Sequence, residues 1–233
     1  MIDEKNLCLK LAKANTSKEV IKILKKEKLW DNPNYWEDFD KNPNNFSTIG
    51  AQQSSALNAL VEKFVNQGDS ILTNECLING IDPKDLTNAP DSLKDAMEKF
   101  LNVPNGDLDQ ISDKERTTLA RKCGGVCVTG DKDYPTYAVF DFGEGQHPED
   151  FEDTFLALSR SNKTGIPFVQ GKHCSGGTGA LLFCDDGLQL IISRRNPKLK
   201  NTNQSDEIGW TITRKIPAKA GARNAVIQYL VIN

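Results

Sequence analysis

The sequence predicts an α+β protein, a two-layer α/β sandwich with a mostly antiparallel sheet and helices on one face. Two observations carry this. Helical apolar periodicity fills the chain as far as Lys122, and strand-like runs separated by turn residues dominate after Cys123. That order, helices first and strands later, differs from the alternation that builds a parallel sheet.

Taken in order, residues 3–30 read as helix, split in two where Thr16, Ser17, Lys18 and Glu19 resemble a capping box. Residues 31–47 hold two prolines and several aromatics, and read as an ordered, irregular stretch that completes an N-terminal helical arm over 1–47. Residues 50–78 read as one long helix, because Leu57, Leu60, Val61, Phe64 and Val65 recur at helical spacing and place an apolar side toward a core. Two further helices are expected near 91–101 and 112–122, set apart by Pro83, Pro90 and Pro104. Strands are expected at 126–129 and 136–140, joined by the turn at 130–133, and again at 188–193, 210–215 and 225–232. Residues 148–160 read as helix and 161–179 as a glycine-rich loop.

The bulk numbers exclude several classes. With 233 residues, 38% hydrophobic and 26% charged, the chain suits one large domain or a domain with an appendage. A net charge of -3 argues against a general nucleic-acid surface. No apolar run approaches the roughly 20 residues that span a bilayer, and the charged N-terminus lacks the apolar core of a secretion signal, so a cytoplasmic location is expected. The six cysteines lack paired metal-ligand spacing and read as free thiols. The phosphate-loop pattern G-x-x-x-x-G-K-[ST] is absent.

Three segments carry candidate chemistry. On the long helix, Glu62, Asn66 and Asp69 fall at i, i+4 and i+7 and share one stripe. There an amide oxygen can ligate a hard cation while a carboxylate orients water. Next, the strand ending at Phe140 runs into Asp141, Phe142, Gly143, Glu144 and Gly145. This sets one carboxylate at a sheet edge, able to accept from an exocyclic amine, with glycines that let the backbone turn and approach closely. Last, Gly176, Gly177, Thr178 and Gly179 precede an apolar segment and can present backbone N–H groups to phosphate, with Lys163 or Lys172 adding charge.

Together these segments resemble the GHKL superfamily, the Bergerat-fold ATPases, which include type II topoisomerases, ninety-kilodalton heat-shock chaperones, mismatch-repair proteins of the MutL type and histidine kinases. The resemblance covers roughly residues 50–233: E-x-x-x-N-x-x-D at Glu62, Asn66 and Asp69, D-x-G-x-G at Asp141, Gly143 and Gly145, and the glycine loop at Gly176, Gly177, Thr178 and Gly179. It implies ATP and Mg2+ as ligands. Glu62 would polarise the attacking water, Asn66 would hold the metal, and Asp141 would bind the adenine amine with Asp69 supporting the base pocket. Residues 146–175 would form a lid with Asn162, Lys163 and Lys172 near the phosphates. Thr211 would join the Asp141 network, with Thr213 as the fallback.

The sequence departs from the family by a helical insertion over about 80–122 and by a short apolar segment after Gly179. The resemblance implies the N-terminal ATPase domain of a larger protein, in which nucleotide-driven lid closure controls homodimerisation. The alternatives are a non-catalytic nucleotide-sensing module and histidine-kinase-type phosphotransfer. For the last, no phosphoacceptor helix pair is legible.

Overall fold

The computed structural model describes residues 2–52, 54–158, 163–171, 176–199, 206–218 and 225–232. Among them the protein is mixed α+β with antiparallel strand pairing throughout. The helices are α1 (Glu4–Ala12), α2 (Ser17–Lys26), α3 (Asn45–Gly50), α4 (Ala56–Ile78), α5 (Leu93–Leu101), α6 (Asp113–Cys123) and the four-residue α7 (Gly176–Gly179). The strands are β1 (Trp36–Asp38), β2 (Gly124–Gly130), β3 (Pro135–Asp141), β4 (Leu190–Ser193), β5 (Gly209–Ile216) and β6 (Val226–Leu230).

Local chemistry sets the helix starts. The Thr16 hydroxyl accepts from the Glu19 amide at 3.2 Å, and the Glu19 carboxylate accepts from the Asn15 amide at 2.8 Å, so α2 begins where the capping residues stand. Ser112 and Glu115 form a complete capping box at α6. The Ser55 hydroxyl caps the 23-residue α4.

The single expected sheet is two sheets. Four strands run in the order β1-β6-β5-β4, while β2 and β3 form a separate hairpin. The hairpin is tied to a helix rather than to strands: Gln67 Nε2 on α4 donates to the Phe140 carbonyl at 2.6 Å. The expectation of helices on one face is also corrected. Alternation along β6 sends Leu230 to one face and Ile227 and Tyr229 to the other. The first face is covered by Leu7, Leu11, Leu24 and Leu29 of the α1–α2 region. The second meets Ile49 of α3 together with Phe151, Leu156 and Leu158. A third cluster joins α4 to α5 through Leu72, Cys76 and Ala96, with Phe168 and Val169 against it.

The stretch read as an irregular arm supplies β1 to the sheet, with Trp36 opposite Leu230. Where β1 has ended, Asn45 takes over the pairing of β6. Its Nδ2 donates to the Ile227 carbonyl at 2.8 Å and its Oδ1 accepts from the Ile227 amide at 2.9 Å. Arg214 of β5 holds the arm from the other side. Its guanidinium lies 3.8 Å from the Trp36 ring centroid and donates to the Trp30 carbonyl and to Gln228 Oε1.

Two helical expectations change. Of the stretch read as helix over 148–160, the described residues 148–158 form no α-helix: Pro148–Asp153 is a 3-10 turn. The apolar side of α4 is split along its length. Leu57, Val61 and Phe64 are exposed among the described residues, and burial begins in earnest after Asp69, with Ile71, Leu72 and Cys76. Periodicity located the helix correctly, but it does not say which part of a long helix finds a partner.

Candidate functional site

Helix α4 organises the site because two adjoining polar stripes on it face different segments of the chain. Asn66, Asp69 and Thr73 form the first, and Gln67, Ser70 and Asn74 the second.

The first stripe meets residues 163–171. Asp69 is only 2% exposed, yet its carboxylate is fully engaged. Oδ1 accepts from the Gln170 amide at 2.9 Å, and Oδ2 accepts from the Gly171 amide and from Lys163 Nζ, each at 2.9 Å. The same ammonium donates to Asn66 Oδ1 at 2.7 Å. A carbonyl oxygen and a carboxylate oxygen thus converge on one cationic atom. That donor pair fits a hard cation such as Mg2+, which accepts oxygen ligands and completes its shell with water and phosphate. Glu62 lies one turn before Asn66 and makes no hydrogen bond or ion pair among the described residues.

The second stripe holds the aspartate–glycine loop. Ser70 Oγ donates to Asp141 Oδ1 at 3.1 Å, and the Gly143 amide donates to the same oxygen at 2.9 Å. Oδ2 of Asp141 has no hydrogen bond among the described residues and stays available to a donor. Beyond Asp141 the loop is stitched onward. The Glu144 amide donates to the Ser70 carbonyl at 3.3 Å, Arg195 pairs with Glu144 at 2.9 Å, and Asn196 Nδ2 donates to Asn74 Oδ1 at 2.7 Å.

Both loop glycines are required by close backbone approach. A Cβ on Gly143 would lie 2.1 Å from Ser70 Oγ, and one on Gly145, whose φ is +60°, would lie 1.9 Å from the Arg194 carbonyl oxygen. The chain itself therefore demands these glycines, with or without a ligand.

The glycine-rich turn Gly176–Gly179 is a four-residue helix packed on α4, followed by a 3-10 turn at Ala180–Leu182. Thr178 is buried, and its hydroxyl donates to Gln52 Oε1, ahead of α4. Asn162 and Lys172, two of the expected phosphate contacts, lie outside the described residues, as do parts of the expected lid over 146–175.

The expectation for Thr211 is corrected. Its hydroxyl donates to the Leu230 carbonyl at 2.8 Å, and that of Thr213 donates to the Gly187 carbonyl at 2.7 Å. Neither reaches Asp141, because Asp141 ends a hairpin that is not part of the β5 sheet. A cavity of about 470 Å³ opens beyond Asp69, lined by Thr73, Leu77, Glu144, His147, Lys163 and Arg195 among others, and of the expected site residues it takes only Lys163.

Sequence reasoning missed Ser70, Gln67, Gln170 and Arg195. A signal existed for the first two: polar residues at 66, 67, 69, 70 and 74 are too many for one solvated stripe and mark a helix with two polar contacts.

Comparison with family models, curated proteins and solved structures returned no significant match. No described helix is long and apolar enough to cross a membrane. Among the described residues, no group of three or more His, Cys, Asp and Glu side chains could hold a metal ion. The described cysteines, Cys8, Cys76, Cys123, Cys127 and Cys184, are free thiols.

Proposed function

We propose that the chain is a magnesium-dependent ATP-binding domain of the GHKL kind, and that it hydrolyses ATP slowly as the N-terminal ATPase domain of a larger protein. One observation carries this reading. Within five residues of a single helix, α4 engages both Asp141, through Ser70, and the oxygen pair of Asn66 and Asp69 that already gathers a cation.

In this reading Asp141 Oδ2 accepts from the adenine amine, while Ser70 and the Gly143 amide hold the carboxylate in place from its other oxygen. Asn66 holds the magnesium, which when bound supplies charge neutralisation at the phosphates. Glu62 orients and deprotonates the attacking water. The glycine turn at Gly176, Gly177, Thr178 and Gly179 lies beside the phosphates, with Lys163, Asn162 and Lys172 as their cationic and amide contacts. ATP and ADP are the ligands, and nucleotide-bound copies pair as homodimers.

Calorimetric titration with magnesium and a non-hydrolysable ATP analogue tests the reading. Wild type binds, and Asp141→Asn, which places an amide where an acceptor is needed, loses most of the affinity. Glu62→Ala keeps binding and loses phosphate release, whereas unchanged release would favour a module without catalysis. Failure of the wild-type chain to bind the analogue would end the proposal.

A further inference from the structure

The position that a metal would take beside Asn66 and Asp69 is filled by a side chain of the protein itself. Lys163 Nζ sits 2.7 Å from Asn66 Oδ1 and 2.9 Å from Asp69 Oδ2. Through that ammonium, and through the Gln170 and Gly171 amides on Asp69, the whole of 163–171 is fastened to α4. Gly171 closes over the knot so tightly that a Cβ there would lie 2.9 Å from Asp69 Oδ2, 3.0 Å from Asn66 Oδ1 and 3.3 Å from Lys163 Nζ. Ile166, Phe168 and Val169 bury themselves in the α4–α5 cluster, so the fastening is backed by apolar packing.

We infer that Lys163 is a built-in competitor for the cation seat: its ammonium latches 163–171 onto α4 in the nucleotide-free protein, and Mg2+ entering with a nucleotide must expel it. This deepens the nucleotide-binding reading above and rests on it.

The physical argument is one of exclusive occupancy. An ammonium and a divalent ion cannot share the two oxygens, since like charges at that separation repel strongly where water is scarce. The metal carries twice the charge and brings phosphates with it, so it can replace the lysine. The replacement removes one of the three donors on buried Asp69 and loosens the strap. Apparent affinity for the metal nucleotide is then the intrinsic affinity reduced by the fraction of molecules whose latch is open. The freed ammonium is left beside the incoming phosphates and can pair with them afterwards, so the latch and the expected phosphate contact are successive states of one side chain.

Two variants separate this from an ordinary structural salt bridge. Lys163→Met removes the ammonium and keeps the stem. Gly171→Ala keeps every charge but forces a methyl into the knot, and the backbone at 171 has no positive φ to penalise it. Two measurements are made on the full chain. The first is amide exchange at Gln170 and Gly171, followed by NMR without nucleotide. The second is calorimetric affinity for magnesium with the non-hydrolysable ATP analogue. The latch predicts faster exchange at both amides in both variants, and metal-nucleotide binding tightened by about three- to tenfold in Gly171→Ala, which keeps the ammonium for the phosphates. In wild type, adding the metal and analogue together speeds the same exchange, while the analogue without metal does not.

Unchanged or weaker binding by Gly171→Ala would overturn the latch, as would unchanged exchange in both variants. Faster exchange in the variants with no analogue binding by any of the three proteins would refute the nucleotide reading, and the displacement with it, while leaving the strap contact standing.

Discussion

Ser70 and Asp141 stand 71 positions apart in the sequence, and their side chains meet at 3.1 Å, joining helix α4 to the last residue of the β2–β3 hairpin. The contact uses only Oδ1 of the carboxylate, which fixes the orientation of the group and leaves Oδ2 without a hydrogen bond among the described residues.

Ser70→Ala should therefore weaken binding of the ATP analogue by about three- to tenfold, the value of one lost hydrogen bond of ordinary strength. The melting temperature should fall little, because the Gly143 amide still holds Asp141 Oδ1. Calorimetry and a thermal melt on the same sample check both halves. Equal affinity in the two proteins would show that Ser70 does not position the carboxylate.

Gly145→Ala should be more damaging to stability than Gly143→Ala. The added carbon at 145 meets a backbone carbonyl at 1.9 Å and sits at a φ of +60°, whereas at 143, where φ is not positive, it meets the Ser70 hydroxyl at 2.1 Å and the Ser70 backbone carbon at 2.6 Å. Losses of about 2–4 kcal/mol and about 1–2 kcal/mol are expected. Chemical denaturation, read as midpoint shifts at constant slope, ranks them.

Arg214→Ala should cost about 2–4 kcal/mol, since it strips the cation from the Trp36 face and leaves Gln228 and the Trp30 carbonyl without their donor. The loss should be shared by the arm and sheet together, seen as one cooperative transition at lower denaturant.

Lys63 gives a pH signature. Burial lowers its ammonium to about 8, against a smaller opposing pull from Cys184, while the unfolded chain holds that proton to the ordinary lysine value of 10.5. The folded state then binds fewer protons than the unfolded state between those values. Stability therefore rises with pH through that window. Relative to Lys63→Met, wild type should gain up to about 2–3 kcal/mol between pH 7.5 and pH 10.5. Parallel curves for the two proteins would show that this amine is not desolvated.

What the sequence revealed follows from which interactions are local. The α4 helix, the β2–β3 hairpin and strands β4 to β6 are legible because apolar period, capping residues and turn glycines act over a few positions. The three-residue β1 is not, because Trp36–Asp38 sits between prolines and asparagines and becomes a strand only by pairing with β6, nearly two hundred positions away. The division into two sheets was hidden for the same reason: strand runs give no sign of whether their edges will meet strands or Gln67. The candidate site was legible as residue types on α4 and at Asp141. The partners of Asp69 were not, since they are a lysine and two backbone amides from a loop with no pattern of its own. The hydroxyls of Thr211 and Thr213 were misassigned because a threonine on a strand carries no mark of which carbonyl it will reach.

Trp30, Trp36 and Trp210, the protein's three tryptophans, all belong to the cluster that seats α1 and α2 on the sheet, and none lies along α4. Intrinsic fluorescence is consequently a reporter for one half of the molecule. It will register detachment of the N-terminal segment and stay dark to events around Asn66. A ligand that shifts the emission is acting at a distance, and one that binds silently is acting on α4 alone.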